Sequence, residues 1–271
     1  MLPADRTTHM RLLLLLLVLS MEGLPQTPKK TETVKVDGAE IYYEVYGKGE
    51  PLFLLHGFTQ SSKSWIPYIA DYEKDYEIYL VDLRGHGKST WFSGTISIRT
   101  VAIELDQLIS YLKLRDINAI GFSYGGEVLF QLALINPGLI KSMVIIGSCG
   151  TWHAGEFPEF VDYLSYKNID NLPWMREQQT NEEQIKSILA QVPNYNVTVT
   201  DEELKSIQAR TLLVLGDNDE ATPIECIANA KKHLPKGYLW ILPNTVHSAH
   251  KDEHKSEFVK LSNEFFRNWG K

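Results

Sequence analysis

Cysteine is almost absent: Cys149 and Cys226 are the only two in 271 residues. Two cysteines make no disulfide framework, and neither stands in a Cys-x-x-Cys pair of the zinc or redox kind. Cys149 follows an apolar run and Cys226 opens a helical pattern. Buried free thiols are the expected reading; pairing would require both to flank one sheet edge. Neither follows the amino-terminal apolar run, so a lipoprotein anchor is not expected. Long apolar runs are missing too. The longest, Leu12 to Leu19, has eight residues, far short of the ~20 that span a bilayer. Lys and Arg form no run that could track phosphates, and the formal charge is −7, which argues against nucleic-acid binding. No Gly-x-Gly-x-x-Gly opens a helix, so no dinucleotide signal exists. His250 and His254 stand four apart, but near Lys255 and with no third ligand in view. No metal and no cofactor are expected.

The chain has 44% hydrophobic and 23% charged residues, ordinary for a globular core. Its length suits one large α/β domain with a modest insertion. Residues 1–30 differ from the rest. Arg6 and Arg11 precede the leucine run, and Ser20, Gly23, Pro25 and Pro28 break it. A basic segment, a short apolar segment and small residues fit a secretory signal, cut after Gly23. Met10 is an alternative start. The expectation is export, periplasmic or secreted, without stable membrane insertion once the signal is removed; a cytoplasmic location follows if the leader is not a signal. Asn196-Val197-Thr198 matches a glycosylation sequon, relevant only on a eukaryotic secretory route.

Val34–Val36 and Ile41–Tyr46 flank Asp37-Gly38, a hairpin signal. Short apolar runs without alternation follow at 52–55, 78–81, 117–120, 143–146, 212–215 and 238–242. Such runs suit strands buried on both faces of a parallel sheet. Between them lie helical patterns: Ile98 to Leu112, where apolar residues recur at spacings of three and four, then Ile224 to His233, then a last segment holding Phe258, Leu261, Phe265 and Phe266. Alternating strands and helices mean an α/β fold with a mostly parallel sheet. The alternation lapses over 150–207, a stretch too long for a structureless loop. It reads as a helical cap, with helices near 157–166 and 181–191.

Ligands of open α/β sheets bind beyond the carboxyl ends of the strands. Beyond the first parallel run come His56-Gly57-Phe58-Thr59, and beyond the second Asp82 to Ser89. After Ile120 comes Gly121-Phe122-Ser123-Tyr124-Gly125-Gly126. Gly216-Asp217-Asn218-Asp219 follows Leu215, and Pro243 to His247 follows Leu242. Gly-x-Ser-x-Gly alone arises by chance in roughly one chain in ten of this size. Between a strand and a helix it reads as a nucleophile elbow. A serine, an acid and a histidine thus stand at three strand ends, in that order.

This set resembles the α/β-hydrolase fold superfamily from about Val34 to the carboxyl terminus, and its esterase and haloperoxidase-like members in the Asp82–Ser89 loop. The resemblance implies an α/β-hydrolase fold: a mostly parallel central sheet with helices on both faces and a small helical cap inserted after the sixth strand. The core would be 31–149 and 208–271, the cap 150–207. It implies Ser123 as nucleophile, His247 as base and Asp219 as the acid that orients it, with the backbone N–H groups of Phe58 and Tyr124 as oxyanion hole. Asp217 competes with Asp219 and is expected to brace the turn; His250 and His254 compete with His247. His56 and His86 are expected to brace loops, and His153 and His233 to lie at the surface. Phe58, Tyr124, Trp152 and Phe160 are the expected pocket residues.

A serine at the elbow points to acyl transfer, where an acid would indicate epoxide or haloalkane chemistry. The expected activity is hydrolysis of a small to medium, partly apolar carboxylic ester. The alternatives are perhydrolase or cofactor-free haloperoxidase activity through the same triad, or a non-catalytic binding protein on the same fold.

Overall fold

The computed structural model describes residues 27–268; the expected signal and its cleavage site lie outside them. Eight strands form one sheet: β1 (Lys30–Val36), β2 (Ala39–Gly47), β3 (Glu50–Leu55), β4 (Tyr76–Val81), β5 (Ile117–Phe122), β6 (Ile140–Ile146), β9 (Arg210–Gly216) and β10 (Gly237–Leu242). Their order is β1-β2-β4-β3-β5-β6-β9-β10. From β4 to β10 every pairing is parallel, while β2 runs antiparallel to both its neighbours. The β1–β2 turn holds Asp37 and Gly38 at φ 43° and 78°, the paired positive φ that a two-residue hairpin with the sheet's twist requires.

The missing alternation has a simple cause. All six residues of β5 are buried, because helices cover both sheet faces. On one face lie α2 (Ile98–Tyr111), α3 (Tyr124–Ile135) and α8 (Ile224–His233), which contribute Leu105, Leu132 and Ile227 to the core. On the other lie α1 (Ile69–Tyr72) and α9 (Lys255–Asn268), with Ile69, Phe258 and Phe265. The serine at position 97 caps α2 by accepting from the Thr100 N–H.

Between β6 and β9 the chain forms α4 (Pro158–Tyr163), α5 (Trp174–Gln178), α6 (Glu182–Leu189) and α7 (Asp201–Ser206), joined by single turns. Two-residue strands β7 (Trp152–His153) and β8 (Asn196–Val197) pair antiparallel across this segment. Leu172, Met175, Ile185 and Ile188 form an apolar cluster of their own with Phe92. Val197, Val199, Leu204 and Ile207 instead join the core on the sheet's face.

The expectation of free thiols is overturned. Cys149 and Cys226 form a disulfide, with Cα atoms 5.9 Å apart. β6 and β9 are neighbours, so the chain leaving β6 and the helix that follows β9 meet at one sheet edge. That adjacency is a crossover property, invisible to local pattern.

Candidate active site

The site begins with backbone crowding. β5 must turn into α3 within one residue, and Ser123 carries the strain at φ 50°, ψ −112°, a region costly for non-glycine residues. A Cβ on Gly121 would come within 2.5 Å of the Gly125 carbonyl oxygen, and one on Gly125 within 2.5 Å of the Leu55 carbonyl oxygen. Only glycine fits at either place. The Ser123 N–H donates to the Ile146 carbonyl at 2.7 Å, which ties the elbow to the neighbouring strand.

Asp219 and His247 meet beside this elbow. The His247 Nδ1 lies 2.8 Å and 3.0 Å from the two Asp219 carboxylate oxygens. Asp219 Oδ1 also accepts from the Ala221 and Thr222 N–H groups, at 2.9 and 3.1 Å. Its side chain is fully buried, while His247 keeps 27% exposure. Ser123 and His247 line one cavity. No hydrogen bond joins them among the described residues, a looseness common in sites that tighten on substrate.

The competing residues have other work. Asp217 accepts from the Thr245 N–H at 3.2 Å and braces the loop that carries His247. His250 is buried against Phe122 and Trp65, and burial holds its pKa well below the usual histidine range. His254 shares a hydrogen bond with the Thr245 hydroxyl. His56 accepts from the Leu83 N–H through Nε2 and faces the Gly57 carbonyl through Nδ1. His86 meets the Arg84 carbonyl; burial lowers the pKa of both rings. His153 contacts Thr198 and His233 contacts Asp201.

Neither Phe58 nor Tyr124 donates its N–H to a backbone carbonyl in the loops and turns. Tyr124 is the first residue of α3, where N–H groups have no helical partner. Phe58, Trp152 and Phe160 line the cavity. Tyr124 does not: its ring is buried beneath, against Phe58, His86 and Tyr195. Its side chain joins the core cluster on that face of the sheet, so it does not take its expected place in the pocket.

The inner cavity measures ≈ 50 Å³, room for about three or four waters. An outer vestibule of ≈ 920 Å³ shares Phe160, Ala221 and His247 with it. Among the inner-wall residues that went unnoticed in the sequence are Glu127 and Tyr195. Glu127 sits one turn into α3 and is 4% exposed. Its Oε1 accepts from the Ser148 hydroxyl at 2.7 Å and the Gly150 N–H at 3.3 Å; Oε2 is buried without a partner. Burial pushes its pKa up to about 7, against the pull of the Ser148 hydroxyl and the Gly150 and Cys149 backbone N–H groups. The available signal was one carboxylate at the head of the largely apolar stretch Val128 to Ile135.

Amides of the cap segment fasten it over the site. Gln179 accepts from the Gly87 N–H at 2.8 Å and donates to the Thr59 and Gln60 carbonyls, both at 2.9 Å. Gln184 donates to the Gly85 and Gly87 carbonyls. Asp82 joins the two loops from below, accepting from the Ser62 and Lys88 N–H groups.

Known proteins share this plan. Residues 50–164 match the family model described as alpha/beta hydrolase fold. An (E)-2-((N-methylformamido)methylene)succinate hydrolase of Acinetobacter baylyi is 30% identical over 39% of this chain, and the match spans only 40% of that protein. A non-heme chloroperoxidase of Kitasatospora aureofaciens is 25% identical over 78% of this chain and 90% of its own length. A pimeloyl-[acyl-carrier protein] methyl ester esterase of Nitrosomonas europaea is 27% identical over 78% and 93%. The crystal structure of an esterase from Rhodococcus sp. superposes with a TM-score of 0.71 at 22% identity, covering 89% of this chain and 99% of that one. With the sheet order and the elbow, these likenesses show that the chain has the α/β-hydrolase fold.

Proposed function

We propose that the protein is a serine hydrolase that cleaves a small carboxylic ester through an acyl-enzyme. One observation carries this reading: Ser123, at a strained elbow, shares a cavity with His247, whose Nδ1 is held by the buried Asp219. A serine hydroxyl is a weak nucleophile without an adjacent base. In this reading the His247 Nε2 takes the Ser123 proton as Oγ attacks the ester carbonyl carbon. The N–H groups of Phe58 and Tyr124 receive the oxyanion. Collapse breaks the bond to the alcohol oxygen, which leaves with the proton from His247. Water, deprotonated by His247, then attacks the acyl-serine; the acid departs and Ser123 regains its proton. The likeness to a methyl ester esterase, over 78% of this chain, supports ester chemistry. The likeness to a non-heme chloroperoxidase favours a second reading, in which peroxide takes the place of water.

Purified protein should hydrolyse short p-nitrophenyl esters and take a fluorophosphonate label, and Ser123→Ala should abolish both with the fold intact. Labelling that persists in Ser123→Ala sinks the assignment. Peracid formation when peroxide is added would select the second reading.

Export is part of the same proposal. The Cys149–Cys226 disulfide supports it, because such bonds persist in oxidising compartments. Amino-terminal sequencing of exported protein should find a start near Leu24; a start at Met1 or Met10 rejects a cleaved signal.

A further inference from the structure

We propose that Glu127 selects substrates whose acyl group carries a positively charged amine. The inference rests on Ser123 as the acylated residue. Glu127 lies four residues after it, in the first turn of α3, about 6 Å further along the axis. Both line the inner cavity.

The carboxylate is half satisfied. Ser148 and Gly150 occupy Oε1, which fixes the side chain. Oε2 is buried with nothing to accept from. Leaving such an oxygen unpaired costs free energy that a bound donor would recover. An ammonium does so most fully, because it brings charge as well as hydrogen bonds. No lysine or arginine lines the inner cavity or the vestibule. The vestibule presents Glu156, Glu159 and Glu220, so its field attracts cations and repels carboxylates. A cation drawn in at the mouth thus meets, at Glu127, a buried carboxylate that lines the cavity and is not already paired with His247 as Asp219 is. An amino-acyl ester meets these conditions; a fatty acyl chain does not.

The test compares β-alanine ethyl ester with ethyl butyrate, which replaces the ammonium by a methyl group of similar size. Binding to the Ser123→Ala protein is measured by calorimetry at about pH 7.5, where an aliphatic amine is charged. The amino ester should bind at least about tenfold more tightly, ~1.4 kcal/mol. Ser123→Ala combined with Glu127→Gln should bind both esters alike. Glutamine keeps an acceptor for Ser148, so a purely structural role predicts no change in selectivity. In the Ser123-containing protein, Glu127→Gln should lower kcat/KM for the amino ester at least about tenfold more than that for the butyrate. Equal binding of the two esters, or binding of neither, overturns the proposal, as does a preference that survives Glu127→Gln. Binding does not depend on turnover. An amine preference in a protein that cleaves no ester would therefore reject the hydrolase reading and leave the role of Glu127 standing.

Discussion

Gly147 lies flat against His247: a Cβ at Gly147 would come within 2.8 Å of both Cε1 and Nδ1 of the imidazole, and within 3.2 Å of Asp219 Oδ2. The glycine is also at φ 58°, where an L side chain costs about 1–2 kcal/mol. Gly147→Ala should therefore push the ring off its carboxylate. We expect kcat to fall by about 100-fold or more, on the scale of a 1 Å misplacement of a catalytic group. Ester kinetics beside a melting curve check it: a loss of stability with unchanged kcat would show that Gly147 serves the backbone alone.

The two aspartates of the β9 turn should separate cleanly. Asp219→Asn should lower kcat by about 10⁴-fold, because the imidazole loses the partner that sets its tautomer. Asp217→Asn removes charge from a bond to the Thr245 N–H and should cost about 1 kcal/mol of stability with kcat little changed. Reversed results would reassign the acid.

Cutting the disulfide should loosen the fold more than the chemistry. Cys149 and Cys226 are 77 residues apart, so the bond closes a long loop that contains the cap segment and Asp219. Cys149→Ser with Cys226→Ser should cost about 2–4 kcal/mol, a drop in Tm of several degrees. Differential scanning calorimetry of oxidised, reduced and double-mutant protein measures it; equal Tm values in all three would contradict a stabilising role.

Gln179 replaces water for three backbone groups at once. Gln179→Ala strands them beneath the cap and should cost about 2–3 kcal/mol. Thr59 and Gln60 follow Phe58 directly, so oxyanion stabilisation should weaken too, with kcat reduced by about tenfold or more. A variant that loses stability but keeps kcat would mean that Phe58 is held by other contacts.

Glu127 sets a pH dependence. Its carboxyl titrates near 4.5 when unfolded and at about 7 in the fold. The folded state therefore holds a proton that the unfolded chain releases, and burial is best tolerated below pH ~4.5. As pH rises from there through about 7, the carboxylate must ionise inside the protein and stability falls, by about 3 kcal/mol in all. Glu127→Gln removes that loss. It should equal the parent near pH 4.5 and exceed it in denaturant midpoint at pH ~8 and above. A parallel pair of stability profiles would show that Glu127 does not titrate in this range.

Much of this could be read locally. Non-alternating apolar runs announced the parallel strands, since a strand covered on both faces has no reason to alternate. The elbow was legible because its crowding is short-range: Gly121 meets Gly125, four residues on. The cap segment was not legible beyond two helices, because α4, α5 and α6 are short and lean on each other and on Phe92 rather than on one repeating apolar face, while α7 packs onto the sheet's face. The amide clamps escaped for the same reason: Gln179 and Thr59 are 120 residues apart, and glutamine carries no local signal.

Amino-acid order alone established the strand-and-helix succession and the three strand ends that bear Ser123, Asp219 and His247, since these depend on burial periodicity and on turns a few residues long. Sheet order and packing settled the rest. The neighbouring of β6 with β9 joined Cys149 to Cys226, and it set Gly147 beneath His247. Packing against Phe58, His86 and Tyr195 covered the Tyr124 ring, and Glu127 came to line the cavity. A chain reveals its periods to a linear reading, but a carboxylate's missing partner exists only once neighbours from distant segments have closed around it.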